Sequence, residues 1–336
     1  MSINLKGKHF LRIRDFKPEE ISYLVDHAID IKKNKTFGFD NTNKKHAVCF
    51  FSLSSSRTKS AWEVAAFESG MMNSYNDANS SQLGKKESIY DSAKVFSEFY
   101  DVIGWRHTNY EDIAELAKYA SIPVINLLCD KNHPTQAICD LVTIKEKFGK
   151  IKGVKVAFVG ACNNNVARSL IEGLLSLGAE YIGIGPKEEF PSKEEMKFYT
   201  DLAKKNGGKV SFTTDVNKLK GVNVIYQDVF LNLGESFDLW PAKLEKYKGY
   251  QLTEKTAKLA DKNYIYMHCL PAINGSSSAY TKHISKTFGK QFPYVKNGEV
   301  EVVSKVFYDT KHSVVYEEAV NRVYAIKAIF SSVIKK

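Results

Sequence analysis

Short apolar runs alternate with longer amphipathic stretches along most of this chain, and this alternation limits the folds that the chain can adopt. The apolar runs are 47–52, 102–105, 124–128, 154–159, 181–185, 222–226 and 264–268. Helical patterns lie between them, among them 61–67, 89–99, 135–148, 166–177 and 193–205. Because an order of strand, helix and strand is typical of parallel sheets covered by helices, we predict an α/β fold with two doubly wound parallel-sheet domains.

The chain length and one turn-like segment indicate where the domains divide. The 336 residues exceed the roughly 150 that are typical of one domain. Residues 148–153 combine two glycines with two lysines and separate two series of apolar runs. We therefore predict a first domain over 1–149 and a second over 150–316, followed by one long amphipathic helix in 317–336.

Charge and hydropathy exclude several classes of protein. No apolar stretch approaches the roughly 18 residues of a membrane helix, and the first residues lack the apolar core of a signal peptide. The net charge is +10, but the lysines are spread along the chain without an Arg-rich stripe or an aromatic RNA-binding pattern. We expect a cytoplasmic protein that binds neither membranes nor nucleic acid, with a basic surface suited to small anionic substrates.

The cysteines give no sign of a disulfide framework or a zinc site. They are odd in number, scattered, and never spaced as C-x-x-C. Their positions are Cys49, Cys129, Cys139, Cys162 and Cys269. We expect reduced thiols and no metal.

Residues 54–59 read Ser-Ser-Ser-Arg-Thr-Lys and lie between an apolar run and a helical pattern. A strand that leads directly into a helix leaves free backbone N–H groups at the positive end of the helix dipole. Hydroxyl groups add neutral donors, and Arg57 adds a planar fork that suits two phosphate oxygens. This segment therefore predicts an anion socket, although an ordinary Ser-rich helix cap has the same composition.

Further polar groups follow other predicted strands. They are Arg106, the His133-Pro134-Thr135-Gln136 segment, residues 160–165, Asp228 and the Cys269-Leu270-Pro271 segment. In open α/β sheets, ligands bind beyond the carboxyl ends of the strands. Three of these groups also have a structural explanation: a capping or core histidine for His133, a helix cap for Asp228 and a buried inert thiol for Cys269.

Taken in order, these motifs resemble the transcarbamylases, most closely the ornithine carbamoyltransferases. Residues 55–59 stand where that family has S-T-R-T-R, residues 81–88 match S-Q-x-G-x-x-E-S, and H-P-T-Q and H-C-L-P are intact at 133–136 and 268–271. The segment 283–322 looks like the catabolic enzymes of the arginine deiminase pathway. The resemblance implies no metal or organic cofactor, and a C-terminal helix that packs back on the first domain.

The resemblance also implies a set of carbamoyl phosphate contacts. Ser55, Ser56, Arg57 and Thr58 would hold the phosphate, while Arg106, His133 and Gln136 would donate to the carbamoyl oxygen. Arg322, in a segment similar to E-A-E-N-R, would return to the carbamoyl group; as a lone helical arginine it would lie on a solvated face. Cys269 and Leu270 complete the set. Gln82 would reach the site of a neighbouring subunit, which implies a homotrimer, with a dodecamer as a further possibility through residues 1–10.

For the second substrate, the resemblance places Asn165 on the carboxylate of L-ornithine, Asp228 on its α-ammonium group and Cys269 at its δ-amine. Asn232 and Leu233 occupy the first two positions of the usual S-M-G segment. Asn232 can still accept from an ammonium group, and Leu233 can still offer a backbone N–H. Ala161 replaces the usual aspartate before the asparagines, and Ser52-Leu53 replaces the usual Glu-Lys.

The activity implied is transfer of a carbamoyl group between carbamoyl phosphate and L-ornithine, giving L-citrulline and phosphate, run as citrulline phosphorolysis. Two alternatives stay open. The same chemistry could act on another amine such as putrescine, which has no carboxylate for Asn165 to bind. A divergent, inactive relative could serve instead as a binding or adhesion protein, although the intact phosphate segment and H-P-T-Q favour an enzyme.

Overall fold

The computed structural model describes residues 3–35, 38–39, 44–77, 81–231, 235–275 and 277–335. The chain divides into two compact units. The first unit comprises Met1–Gly149, Arg168–Gly173 and Val320–Lys336, and the second comprises Lys150–Ala167 and Leu174–Ala319. Each unit holds one parallel sheet, which confirms the predicted fold class.

The sheet of the first unit has four parallel strands in the order β2-β1-β3-β4. The strands are β1 Lys45–Phe51, β2 Met71–Asp77, β3 Val102–Arg106 and β4 Val124–Leu128. The accompanying helices are α1 Pro18–Asn34, α2 Arg57–Glu68, α3 Ile89–Phe99, α4 Tyr110–Tyr119 and α5 Pro134–Phe148. Phe51 pairs with Arg106, which in turn pairs with Leu128, so the carboxyl ends of three strands lie at one edge of the sheet.

The sheet of the second unit has five parallel strands in the order β7-β6-β5-β8-β9. The strands are β5 Lys155–Val159, β6 Glu180–Ile184, β7 Lys209–Thr213, β8 Val224–Gln227 and β9 Ile265–His268. The helices after residue 149 along the chain are α6 Asn165–Ser176, α7 Lys193–Asn206, α8 Trp240–Lys246, α9 Glu254–Ala257, α10 Ala279–Phe288, α11 Ser304–Phe307 and α12 Val315–Val333. The middle of α6 and most of α12 belong to the first unit. Short 3-10 turns lie at Ile13–Asp15, Lys187–Glu189, Val216–Leu219, Phe237–Leu239 and Pro293–Val295. Strand order reverses between β5 and β8, which makes a crevice at their carboxyl ends.

Packing inside the first unit fixes where its strand ends lie. Trp62 of α2 is fully buried and covers Gly104 in β3, where an added Cβ would meet the indole ring at 2.8 Å. The same ring stacks edge-on against Phe330 of α12, with ring centroids 4.7 Å apart. Only glycine fits under the indole, because any side chain at that position would displace it.

Most of the predicted elements are present in the structure. The structure also contains two strands, β2 and β7, that the sequence analysis did not predict. The helix 89–99 and the strand 124–128 have the predicted bounds. These two unpredicted strands lie at sheet edges and carry polar, partly exposed residues, so they lack the apolar runs of the central strands. Among the described residues, no helix combines the length and apolar character needed to cross a membrane.

Candidate active site

The socket segment of the first unit lies where β1 gives way to α2. The helix begins at Arg57, so its first backbone N–H groups belong to the predicted socket. Thr58 is buried, Ser55 is half-buried, and Ser56 and Arg57 are exposed. At the next strand ends, β3 closes with the buried Arg106, and His133 precedes the proline that starts α5.

A cluster of positive charge surrounds His133. Arg322 donates from Nη1 to the Thr58 hydroxyl at 3.1 Å and lies 3.5 Å from His133 Nε2. Burial lowers the pKa of His133 well below its usual value, and the charges of Arg322, Arg106 and Arg57 lower the pKa further. His133 is therefore neutral. We call Arg57, Thr58, Arg106, His133 and Arg322 the anion site. Three positive guanidinium groups lie near one neutral imidazole here, and such a group of charges attracts an anion.

Contacts made by a neighbouring residue on the same helix hold Arg322 in place. It is only 4% exposed, so the interpretation of this residue as a solvated helical arginine is wrong. The neighbouring Asn321 donates to Thr143 at 3.0 Å and to Glu146 at 2.8 Å, both on α5. Lys32 donates to Asn321 at 2.7 Å and to Glu146 at 2.9 Å. These buried and partly buried bonds fix α12 against α5 and so fix where the guanidinium group lies.

Gln136 lies in the first turn of α5 and is 1% exposed. Its Nε2 group donates to Asp140 at 2.6 Å, and Cys139 Sγ lies 3.8 Å away. The resemblance had Gln136 donating to a carbamoyl oxygen. In the structure, its amide nitrogen faces another protein group.

The second unit gathers a different set of groups at its strand ends. Asp228, just after β8, accepts from Asn164 Nδ2 at 2.6 Å, from Cys269 Sγ at 2.8 Å and from Val229 N at 2.8 Å. Asp228 does not cap a helix, since the next described helical turn is Phe237–Leu239. Cys269 is half-exposed and bonded to a carboxylate, so it is not a buried inert thiol. We call Asn164, Asp228 and Cys269 the amine site, because a carboxylate beside a thiol suits a cationic amine.

His268 stabilises the turn that carries Cys269. Leu270 N donates to His268 Nδ1 at 3.0 Å, and His268 Nε2 lies 3.3 Å from the buried Glu301. Burial raises the pKa of Glu301, and the hydrogen bond with His268 opposes that shift. Asp228, His268 and Cys269 present ligand atoms within 4.8 Å of one another, a set that could hold a metal ion.

For the remaining predicted residues, the structure gives the position in the fold and the burial of the side chain. Asn165 is half-buried at the first position of α6, and Gln82 is exposed in the segment between β2 and α3. Asn232 and Leu233 lie outside the described residues. Sequence reasoning did not single out Asn164, although the run of three asparagines pointed to this turn.

Comparison with known proteins agrees with both units. The family model described as "Aspartate/ornithine carbamoyltransferase, carbamoyl-P binding domain" matches residues 8–146, and the "Asp/Orn binding domain" of the same family matches residues 152–333. The chain belongs to the aspartate/ornithine carbamoyltransferase family.

Individual relatives match over nearly the full length. A protein of Malacoplasma penetrans named "Ornithine carbamoyltransferase, catabolic" is 38% identical, covering 99% of each chain. One of the same name from Treponema denticola is 38% identical, covering 97% of this chain and 95% of the relative. Among solved structures, ornithine carbamoyltransferase from Pyrococcus furiosus has a TM-score of 0.86 at 32% identity, covering 99% of each chain.

Proposed function

We propose that this protein transfers a carbamoyl group between carbamoyl phosphate and L-ornithine, giving L-citrulline and phosphate, in arginine catabolism. Both family domains and the names of relatives similar over the whole chain support this activity. The observation that carries it is the anion site, where three guanidinium groups surround a neutral, buried imidazole.

The anion site suits carbamoyl phosphate. Arg57 and the hydroxyls of Ser55, Ser56 and Thr58 bind the phosphate at the start of α2. Arg106 and His133 act on the carbamoyl oxygen, where negative charge grows as the amine attacks. Arg322 adds a second charge there. Because His133 is neutral, one of its ring nitrogens donates without taking up a proton. Contacts of Gln82, Cys269 and Leu270 with this substrate remain predictions from the resemblance.

The amine site suits the amino acid. Asp228 binds an ammonium group, and Asn164 holds the second carboxylate oxygen in place. The δ-amine must lose a proton before it attacks, and the bonded Cys269 thiol and Asp228 carboxylate are the polar groups available to accept or relay that proton. Asn165, Asn232 and Leu233 are the proposed contacts for the rest of the amino acid.

The direction in the cell is citrulline phosphorolysis, in the cytoplasm. The relatives from M. penetrans and T. denticola are both named catabolic. Phosphorolysis forms carbamoyl phosphate, so the anion site then binds inorganic phosphate as a substrate.

The assembly is a homotrimer in which Gln82 completes a neighbouring site. Exposed apolar side chains on α2 and the edge strand β2 support an interface: Val64, Phe67, Met72 and Tyr75 are 41%, 82%, 62% and 37% exposed. Exposed apolar side chains in this number are typical of a contact with another chain. A dodecamer through residues 1–10 is the larger assembly proposed.

One assay separates the proposed function from its alternatives. Carbamoyl transfer, followed as the ureido product and as released phosphate, is measured with ornithine, putrescine and lysine side by side, together with phosphorolysis of citrulline. We expect activity with ornithine alone, and loss of that activity in Arg57→Ala with an unchanged melting temperature. Preference for putrescine would support the diamine alternative, and no turnover of any amine would support the inactive relative.

A further inference from the structure

Ser52, His107 and Asp112 form a hydrogen-bonded chain of side chains that the proposed mechanism does not use. His107 Nδ1 lies 2.9 Å from Ser52 Oγ, and His107 Nε2 lies 2.7 Å from Asp112 Oδ2. Ser52 is fixed just beyond β1, because its backbone N–H donates to Arg106 O at 2.9 Å. A hydroxyl, an imidazole and a carboxylate in this order are the parts of an activated nucleophile.

The Asp112 carboxylate sets the direction of each hydrogen bond in this chain. A carboxylate only accepts, so Nε2 of the neutral His107 ring carries the proton and donates it. Nδ1 then has a lone pair, which accepts from the Ser52 hydroxyl. Asp112 is itself oriented, because its Oδ1 accepts from Asn109 Nδ2 at 3.0 Å. His107 is therefore placed to take the Ser52 proton, with its two ring nitrogens exchanged relative to those of the serine proteases.

All three side chains line one cavity of the first unit, which has a volume of about 190 Å³. Phe51, Leu83 and Trp105 are apolar residues of its wall. Lys85 also lines it and brings a positive charge, which stabilises negative charge that grows on a carbonyl oxygen. Pockets for drug-sized ligands measure about 300–1,000 Å³, so this cavity suits a short acyl group.

We propose that Ser52 is the nucleophile of a second activity, the hydrolysis of small carboxylic esters, with His107 as its base and Asp112 as a positioning residue. Ser52 Oγ bonds to the carbonyl carbon of the ester while its proton passes to His107 Nδ1. The bond from that carbon to the alcohol oxygen breaks, and Nδ1 gives the proton to the leaving alcohol. Water, the second substrate, then attacks the acyl-serine, which releases a carboxylic acid and restores the Ser52 hydroxyl. The inference does not rest on the proposed function, because these three residues lie outside the anion site and the amine site.

A fluorophosphonate probe and p-nitrophenyl acetate test this assignment on the whole protein. The wild type should form a covalent adduct on Ser52, located by mass spectrometry of its peptides, and should release p-nitrophenol. Ser52→Ala should lose the adduct and the ester hydrolysis. Ser81→Ala is the matched control: it makes the same exchange in a residue of the same cavity whose hydroxyl accepts from Leu83 N at 3.2 Å, and it should keep both.

Two further positions test the roles of the base and the carboxylate. His107→Gln keeps a polar side chain but cannot take up a proton, so it should slow adduct formation roughly a hundredfold. Asp112→Asn should slow it as well, and Asp112→Glu, which restores the carboxylate, should recover part of the rate.

Three results would overturn the proposal: no adduct on Ser52 in the wild type, wild-type ester hydrolysis by Ser52→Ala, or an unchanged labelling rate in folded His107→Gln. If Ser52→Ala does not fold, the position of the adduct in the wild type still decides.

Discussion

At the scale of the residue, position inside the fold decides the chemistry of groups that look ordinary in the sequence. His133 is neutral because it is buried among guanidinium groups, and Cys269 is paired with a carboxylate because β8 and β9 are neighbours. The H-P-T-Q and H-C-L-P motifs marked both residues. Neither the amide orientation of Gln136 nor the Asn164 contact with Asp228 could be predicted, because each depends on side-chain geometry.

The lowered pKa of His133 makes stability depend on pH. In the unfolded chain a histidine titrates near 6.5, while folded His133 stays neutral, so the unfolded state binds more protons below that pH. The free energy of unfolding should fall as pH drops from 7 to 5. In His133→Gln, which has no titrating ring, the fall should be smaller. Urea unfolding at pH 5, 6 and 7 checks this, and equal slopes in the two proteins would contradict it; His9 and His27 contribute equally to both.

Asp228 should control the use of the amine substrate. Asp228→Asn removes the charge that binds an ammonium group and weakens the bond from Cys269. We expect kcat/KM for ornithine to fall roughly a hundredfold, with carbamoyl phosphate binding unchanged. Steady-state kinetics and calorimetry measure the two effects separately. A variant with wild-type kinetics would show that the amine binds elsewhere.

At the scale of the element, side chains at the ends of β1 and β3 tie these strands together. His107 Nδ1 lies 2.9 Å from Ser52 Oγ, and His107 Nε2 lies 2.7 Å from Asp112 on α4. The His107 ring also stacks on Trp105, with centroids 4.6 Å apart. Ser52 stands where the family usually has glutamate. The segment that leads from β1 into α2 is therefore supported by a histidine.

This connection should contribute to stability. His107→Ala removes two hydrogen bonds and one ring contact, which should lower the free energy of unfolding by about 1–3 kcal/mol. Ser52→Ala removes the bond with His107 and the longer bond from Trp105 Nε1 at 3.4 Å, but it keeps the Asp112 bond and the ring contact, so it should cost less. Urea denaturation measures both. If His107→Ala is as stable as the wild type, these contacts do not contribute to the free energy of unfolding.

Elements were predicted well where the pattern was strong. Central strands such as β4 are continuous apolar runs because both faces are covered, and α3 has a clear amphipathic stripe. The edge strands β2 and β7 were missed because one side has no neighbouring strand and their residues are polar. Their pairing is long-range information that local periodicity does not carry.

At the scale of the whole molecule, the proposed trimer makes a prediction that a single chain cannot satisfy. Arg57→Ala and Gln82→Ala subunits should each be inactive alone. Mixed and allowed to exchange, they should regain part of the activity, because some sites in a hybrid trimer carry neither change. Light scattering and native mass spectrometry verify exchange. Absence of rescue after verified exchange, or a fully active monomer, would rule out shared sites.

The first unit is assembled from the two ends of the chain, and this has a consequence for biosynthesis. Phe330 packs on Trp62, and Lys6 donates to the carbonyl groups of Ser331 and Ile334, both at 2.7 Å. A ribosome makes residues 1–149 before the second unit, but their partners in α12 only after it. Residues 1–149 therefore keep the Trp62 side of α2 uncovered until α12 has been synthesised, whereas the second unit is complete in sequence before Val320. A nascent chain stalled before α12 should bind chaperones that the released protein does not.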